Sequence, residues 1–209
     1  EIVNNGQTYK ETDLENEITG VLGDLTNNGT YYFVEEDGKY VPTNSRTYQL
    51  AHQGTSGISG AATSYIPIDL SGLDGTYKVV VNANVSSRSS YDYGFATINQ
   101  TTTAPAYSDT TGRFIYITGI GASVTTPTNY ESINTLEGGQ IYYLHLGYRK
   151  SSASYSGTDQ FIVNSVKLYK TKDVSYNFIK TEDNKYDSTN IGKDNTVCNS
   201  YIPIDLTDY

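Results

Sequence analysis

Hydrophobic and polar positions alternate with a period of two along most of the chain, the pattern of strands whose two faces meet different surroundings. In "TYKVVVNANVSS", Tyr77, Val79, Val81, Ala83 and Val85 share one face. In "SYIPIDL", Ile66, Ile68 and Leu70 oppose Tyr65, Pro67 and Asp69. Pro67 has no N–H for a ladder and predicts an edge strand. "TYYFVEEDGKYV" predicts a hairpin, with Asp37-Gly38 supplying the positive φ of a type I′ turn. A turn at Asp74-Gly75 and the runs "YDYGFATIN", "RFIYITG", "QIYYLHLGYRK" and "DQFIVNSVKLYK" bring the strands to about eight. The stretches "LAHQGTSG" and "TINQTTTAPAYSDTTG" read as loops. Helical spacing occurs in "ETDLENEITGVLGDL", through Leu14, Ile18, Val21 and Leu22, with Thr12 or Asp13 as cap. Many strands and one short helix predict an all-β protein, a two-sheet β-sandwich and not an α/β fold.

Some of these strands occur twice. "SYIPIDL" stands at Ser64–Leu70 and again at Ser200–Leu206. Upstream, Phe33, Lys39, Tyr40, Thr43 and Asn44 match Phe178, Lys185, Tyr186, Thr189 and Asn190. "IVNNGQTYK" at Ile2–Lys10 resembles "IVNSVKLYK" at Ile162–Lys170. Three blocks in one order predict a tandem repeat, with the chain as a window on it. In this reading residues 1–27 are the end of a preceding repeat and a linker, 28–170 a complete β-sandwich repeat, and 171–209 the start of the next. The unfinished third part would need strands from a partner: the chain's own first residues, another molecule, or the preceding domain.

Composition sharpens this picture. The chain has 209 residues, 21 of them Tyr, with no Met or Trp, and a net charge of −9. It holds no dense Lys/Arg cluster, so nucleic acid is not an expected partner. No apolar run is long enough for a spanning helix, so no membrane insertion is expected. Cys198 is the one cysteine, which excludes an internal disulfide. A start at Glu1 without Met suits an excised or processed piece.

The central stretch, from "SYIPIDLSGLDGTYKVVVNANVSS" through "YDYGFATI" to "YYLHLGYRKSSASYSGTDQFIVNSVKLYK", resembles galactose-binding-like jelly-roll domains of carbohydrate-binding modules. The matching features of the last strand are Asp159, Phe161, Val163, Val166 and Leu168. The whole unit also resembles repeats in large surface proteins of clostridia and related Gram-positive bacteria, adhesins or pilin-related. The resemblance implies an extracellular, cell-surface location, a stalk or fibre of jelly-roll repeats, and neighbouring repeats or copies of itself as partners. As the alternative role it implies binding of host or cell-wall glycans. In the resembled modules a structural calcium ion often joins an acid near the first strand to the Asp that opens the last. Here those positions are Glu35 or Glu36 and Asp159, and no other cofactor is implied.

Catalysis is not expected: His52 and His145 stand apart from any nucleophile motif. A glycan would be met by tyrosine faces and hydroxyls, and the candidates at or near loops are Tyr91, Asp92, Tyr93, Tyr107, Tyr148 and Tyr155. The competing reading makes most tyrosines sheet surface or core. The resemblance to Gram-positive surface fibres, some of which join a strand Lys to an Asn beside a buried acid, draws notice to Lys78 and Lys167 on strands near Asn82, Asn84 and Asn164, but alternation turns Lys78 towards solvent.

Overall fold

The computed structural model describes residues 1–121 and 123–209. Its elements are β1 (Val3–Asn4), β2 (Thr8–Ile18), β3 (Thr26–Asn27), β4 (Phe33–Glu36), β5 (Lys39–Pro42), α1 (Arg46–His52), β6 (Gly60–Asp69), β7 (Thr76–Ser86) and β8 (Tyr93–Asn99). There follow β9 (Arg113–Thr118), β10 (Thr128–Glu131), β11 (Leu136–Glu137), β12 (Ile141–Lys150), β13 (Gln160–Ser175), β14 (Phe178–Glu182), β15 (Lys185–Ser188) and β16 (Ser200–Tyr201). They group into two compact units, residues 14–170 and residues 1–13 with 171–209. Residues 14–27, expected with a preceding repeat and linker, thus group with the larger unit.

The larger unit is an all-β sandwich. One sheet runs β3-β6-β12-β8-β9, the other β10-β7-β13-β5-β4 with β11 also on β7 and β2 also on β13. The apolar faces read from the sequence meet between them: Ile66, Ile68 and Leu70 on one side, Tyr77, Val79, Val81, Ala83 and Val85 on the other. The last long strand changes phase, with Val163 and Leu168 both buried, because a bulge at Asn164 shifts its register against β7. Asp37 and Gly38 take φ of 51° and 73°, as the hairpin turn requires.

Two local expectations change. The stretch expected to be helical is strand β2, because its charges match those on β13: within the larger unit Glu17 pairs with Lys167 at 3.4 Å. Within the smaller unit Lys10 pairs with Asp173 at 2.5 Å and Asp13 with Lys172 at 3.9 Å. Opposite charges facing one another across strands favour the sheet. Conversely "LAHQGTSG" begins inside helix α1, which Ser45 caps by accepting a 3.1 Å bond from Tyr48 N–H. Pro67 also lies off the sheet edge. The chain at residues 21–23 runs beside it, with Gly23 N–H donating to Pro67 O at 2.8 Å and Asp69 N–H to Val21 O at 2.9 Å.

The smaller unit holds a hairpin, β14–β15, and the second heptad, whose first residues form β16 and pair with β1. The chain's own first residues are therefore the partner of this strand. Tyr9 Oη accepts from Val197 N–H at 2.8 Å, Asn177 Oδ1 accepts from Gly6 N–H at 2.9 Å, and the Tyr176 hydroxyl bonds Glu11.

Inside each unit the hairpin and heptad are held by the same hydrogen bonds. Phe33 N–H donates to Ser64 Oγ at 2.9 Å, and Phe178 N–H to Ser200 Oγ at 2.9 Å. Tyr32 N–H donates to Thr43 Oγ1, and Asn177 N–H to Thr189 Oγ1. The Asn44 amide donates to Gly60 O at 3.1 Å, and the Asn190 amide to Thr196 O at 3.1 Å. At the heptad's end Asp69 caps Ser71 N–H as Asp205 caps Thr207 N–H.

Candidate functional site

On the outer face of the five-stranded sheet, odd-numbered residues of β8 and β12 point away from the core. Tyr93 and Phe95 stand opposite Arg149 and Gly147. Gly147 is required there, since a Cβ would come within 2.0 Å of the Phe95 ring. The Arg113 guanidinium covers Phe95 at 4.5 Å from its centroid. The same arginine donates to Tyr107 O at 2.8 Å and Asp109 O at 2.6 Å, which fixes the loop over the sheet. Tyr93 and Tyr116 lie 4.9 Å apart between centroids, and Arg149 packs on Tyr107 at 4.7 Å.

The result is an open groove of about 370 Å³ lined by Tyr93, Tyr107, Ser108, Thr110, Arg113 and Tyr116. It offers flat aromatic faces, hydroxyls and a guanidinium edge, which can stack on and hydrogen-bond a sugar ring. Burial raises the Tyr93 hydroxyl above its ordinary pKa, while Arg149 and Arg113 pull it down.

His145 anchors the far end of the same loop. Its Nε2 lies 3.0 Å from Asn99 Oδ1 and 2.8 Å from Thr101 O, two acceptors that assign the proton to Nε2. Burial lowers its pKa.

Of the residues expected at a glycan site, the structure brings together Tyr93 and Tyr107. Tyr91 is exposed beneath Arg88, at 4.8 Å, and Tyr155 is exposed beneath Arg46, at 4.0 Å. Asp92 and Tyr148 are fully buried and present nothing to a ligand. Tyr148 follows Leu144 and Leu146 on the inward face of β12, a phase the sequence reading placed at a loop. Tyr116 and Arg113 were missed; the alternation of "RFIYITG" is the signal that puts Tyr116 on the outer face. A second hollow, about 420 Å³, opens beside Tyr31, Tyr48 and Gln49 of α1.

The calcium positions lie apart in character. Glu36 sits in the hairpin and pairs with His52 at 3.4 Å, and Glu35 lies beside it. Asp159 is buried, and its carboxylate is engaged by Lys150, by Tyr148 Oη at 3.1 Å and by Arg46 N–H at 3.1 Å. Among the described residues no group of three His, Cys, Asp or Glu side chains is placed to hold a metal ion.

Lys150 was not anticipated. It ends the inward row Leu144, Leu146, Tyr148, Lys150 and is completely buried. Its Nζ contacts Asp159 Oδ2 and lies 3.8 Å from Asp92 Oδ2 and 3.3 Å from Ser154 O. Asp92 Oδ1 accepts from Ser151 N–H at 2.8 Å, while its Oδ2, 3.5 Å from Arg88 Nε, has no hydrogen bond among the described residues. Burial pushes the Asp159 carboxyl above its ordinary pKa, against the pull of the Lys150 bond and charge, and burial likewise raises the Tyr148 hydroxyl. Lys78, by contrast, donates to Ser132 O and Ile133 O at 2.7 Å, and Asn164 bonds Asn82 and Asn84.

No family model, curated protein or solved structure matches this chain.

Proposed function

We propose that this chain is a segment of a repeat array in an exported bacterial surface protein, a stalk or fibre of β-sandwich units with a structural and adhesive role. The observation that supports it is the shared set of hydrogen bonds, Phe33–Ser64 and its companions recurring as Phe178–Ser200 and theirs. A set of bonds duplicated in one chain is the mark of a duplicated unit. In such an array each unit needs only its neighbours, and an acidic surface keeps the fibre soluble. Its partners would be neighbouring repeats or copies of itself, its place the cell surface.

The test is a chain in which residues 74–170 are appended after Tyr209. If the units are equivalent, the amides of residues 202–206 acquire the slow hydrogen exchange of residues 66–70. Amides there that stay freely exchanging, in a chain whose first sandwich is folded, would sink the repeat reading.

The tyrosine groove favours a second reading, a carbohydrate-binding module with a glycan across Tyr93, Tyr107 and Tyr116. A glycan array probed with the chain and with Tyr93→Ala/Tyr107→Ala separates the two. Selective binding lost in the double variant supports the module; no binding by folded chain, with calcium or with EDTA, leaves the stalk.

A further inference from the structure

We propose that Lys150 and Asp159 join in an intramolecular amide bond, formed by the folded chain itself, with Asp92 carrying the proton. Both partners and Asp92 are fully buried, so three ionisable side chains share one dry site. Holding an ammonium and carboxylates there as ions is costly, because each has left water. Proton transfer from Lys150 to Asp159 leaves an amine and a carboxylic acid, the two species that condense.

The surroundings suit the reaction. Nζ contacts the Asp159 carboxylate, so the reacting groups are already held together. Tyr148 Oη donates to Oδ1 at 3.1 Å, placed to stabilise negative charge as that oxygen becomes the amide carbonyl. Arg46 N–H donates to Oδ2, the oxygen facing Lys150. Asp92 Oδ2 stands 3.8 Å from Nζ and 3.5 Å from Arg88 Nε with no hydrogen bond among the described residues, placed to take a proton from Nζ. Gly57 closes the site from above: a Cβ there would meet Asp159 Oδ2 at 2.9 Å and Lys150 Cε at 3.0 Å. Asp159 itself is held at φ 55°, a backbone region in which non-glycine residues are uncommon.

The step balances without any co-reactant. The Nζ lone pair attacks Asp159 Cγ, forming the N–C bond and a tetrahedral centre. Asp92 accepts one proton from nitrogen and returns it to Oδ2; the Cγ–Oδ2 bond breaks and water leaves. One amine and one carboxylic acid become one secondary amide and one water, and Asp92 ends as it began. Lys150 ends β12 in one sheet and Asp159 immediately precedes β13 in the other, so the bond ties the two sheets in a unit without a disulfide.

Intact mass of the purified full chain under denaturing conditions is the test. The expected mass is lower than the sequence mass by one water, with fragmentation assigning the loss to a peptide branched between Lys150 and Asp159. Lys150→Arg should return the full mass, as should Asp159→Ala, which has no side-chain acyl group to condense. Asp92→Asn should keep the fold by circular dichroism yet slow or stop the loss. A wild-type chain at full sequence mass overturns the proposal. So does a one-water loss that persists in Lys150→Arg, which would be cyclisation at an aspartate. Bond formation at the wild-type rate in Asp92→Asn removes Asp92 from the step.

Discussion

The same seven residues meet two fates in this molecule. In the first copy Ile66, Ile68 and Leu70 are at most 1% exposed, in the second Ile202, Ile204 and Leu206 are 48%, 80% and 65% exposed. Yet Ser64 and Ser200 accept the same backbone bond at the same 2.9 Å. Hydrogen bonds between the hairpin and the heptad are therefore set by nearby sequence. Burial of the heptad's apolar face depends on residues 71–161, which supply the facing strands β7, β10 and β11 and the adjoining β12 and have no second copy in this sequence.

Substitution of one isoleucine at a time gives the widest expected gap. Ile68→Ala should cost about 2–5 kcal/mol in a denaturant melt of the larger unit, through lost transfer energy and a cavity. Ile204→Ala should stay within about 0.5 kcal/mol, as exposed changes do. Similar losses at both sites would mean that the second face is covered in solution.

The serines should differ less. Ser64→Ala strands the buried Phe33 N–H and should cost about 1–3 kcal/mol. Ser200→Ala leaves a half-buried N–H with access to water and should cost about 0.5–1.5 kcal/mol, read from amide exchange at Phe178. Equal costs would break the claim that only burial separates the copies.

The smallest effect is one of pH. The smaller unit has no histidine, whereas the larger holds His145 with its pKa lowered by burial. The unfolded chain then binds a proton near pH 6.5 that the folded chain refuses, so stability is full above that value and falls as pH drops below it. One proton limits the slope to about 1.4 kcal/mol per pH unit. His145→Gln should flatten this part of the stability profile; an unchanged slope would assign it to the carboxylates.

Strand alternation and the Asp37-Gly38 turn were legible because each is a short-range pattern, and the recurring heptad because it is an identity in the sequence itself. The helix expected at residues 11–25 failed because β2 takes its shape from charges on β13, some 150 residues away, such as Lys167 opposite Glu17. The surface position of Tyr93 and Tyr107 beside one groove was legible because tyrosines at a strand end and in a loop are exposed by default. Asp92 and Tyr148 were misplaced, and Lys150 overlooked, for one reason. A polar residue at a strand end normally reaches water, and only the assembled sandwich seals this one over with Gly57 and Arg46.

The hairpin bonds have a further consequence for synthesis. Since Asn177 and Phe178 bond Thr189 and Ser200, only 12 and 22 residues further on, an emerging chain can set this hairpin and the start of its heptad early. Each new unit would then begin as a small pre-ordered seed, its contacts short in sequence and quick to form. In the array proposed above, the later strands would add to a template already in register, and mispairing between similar neighbours, a hazard for repeated chains, would be reduced.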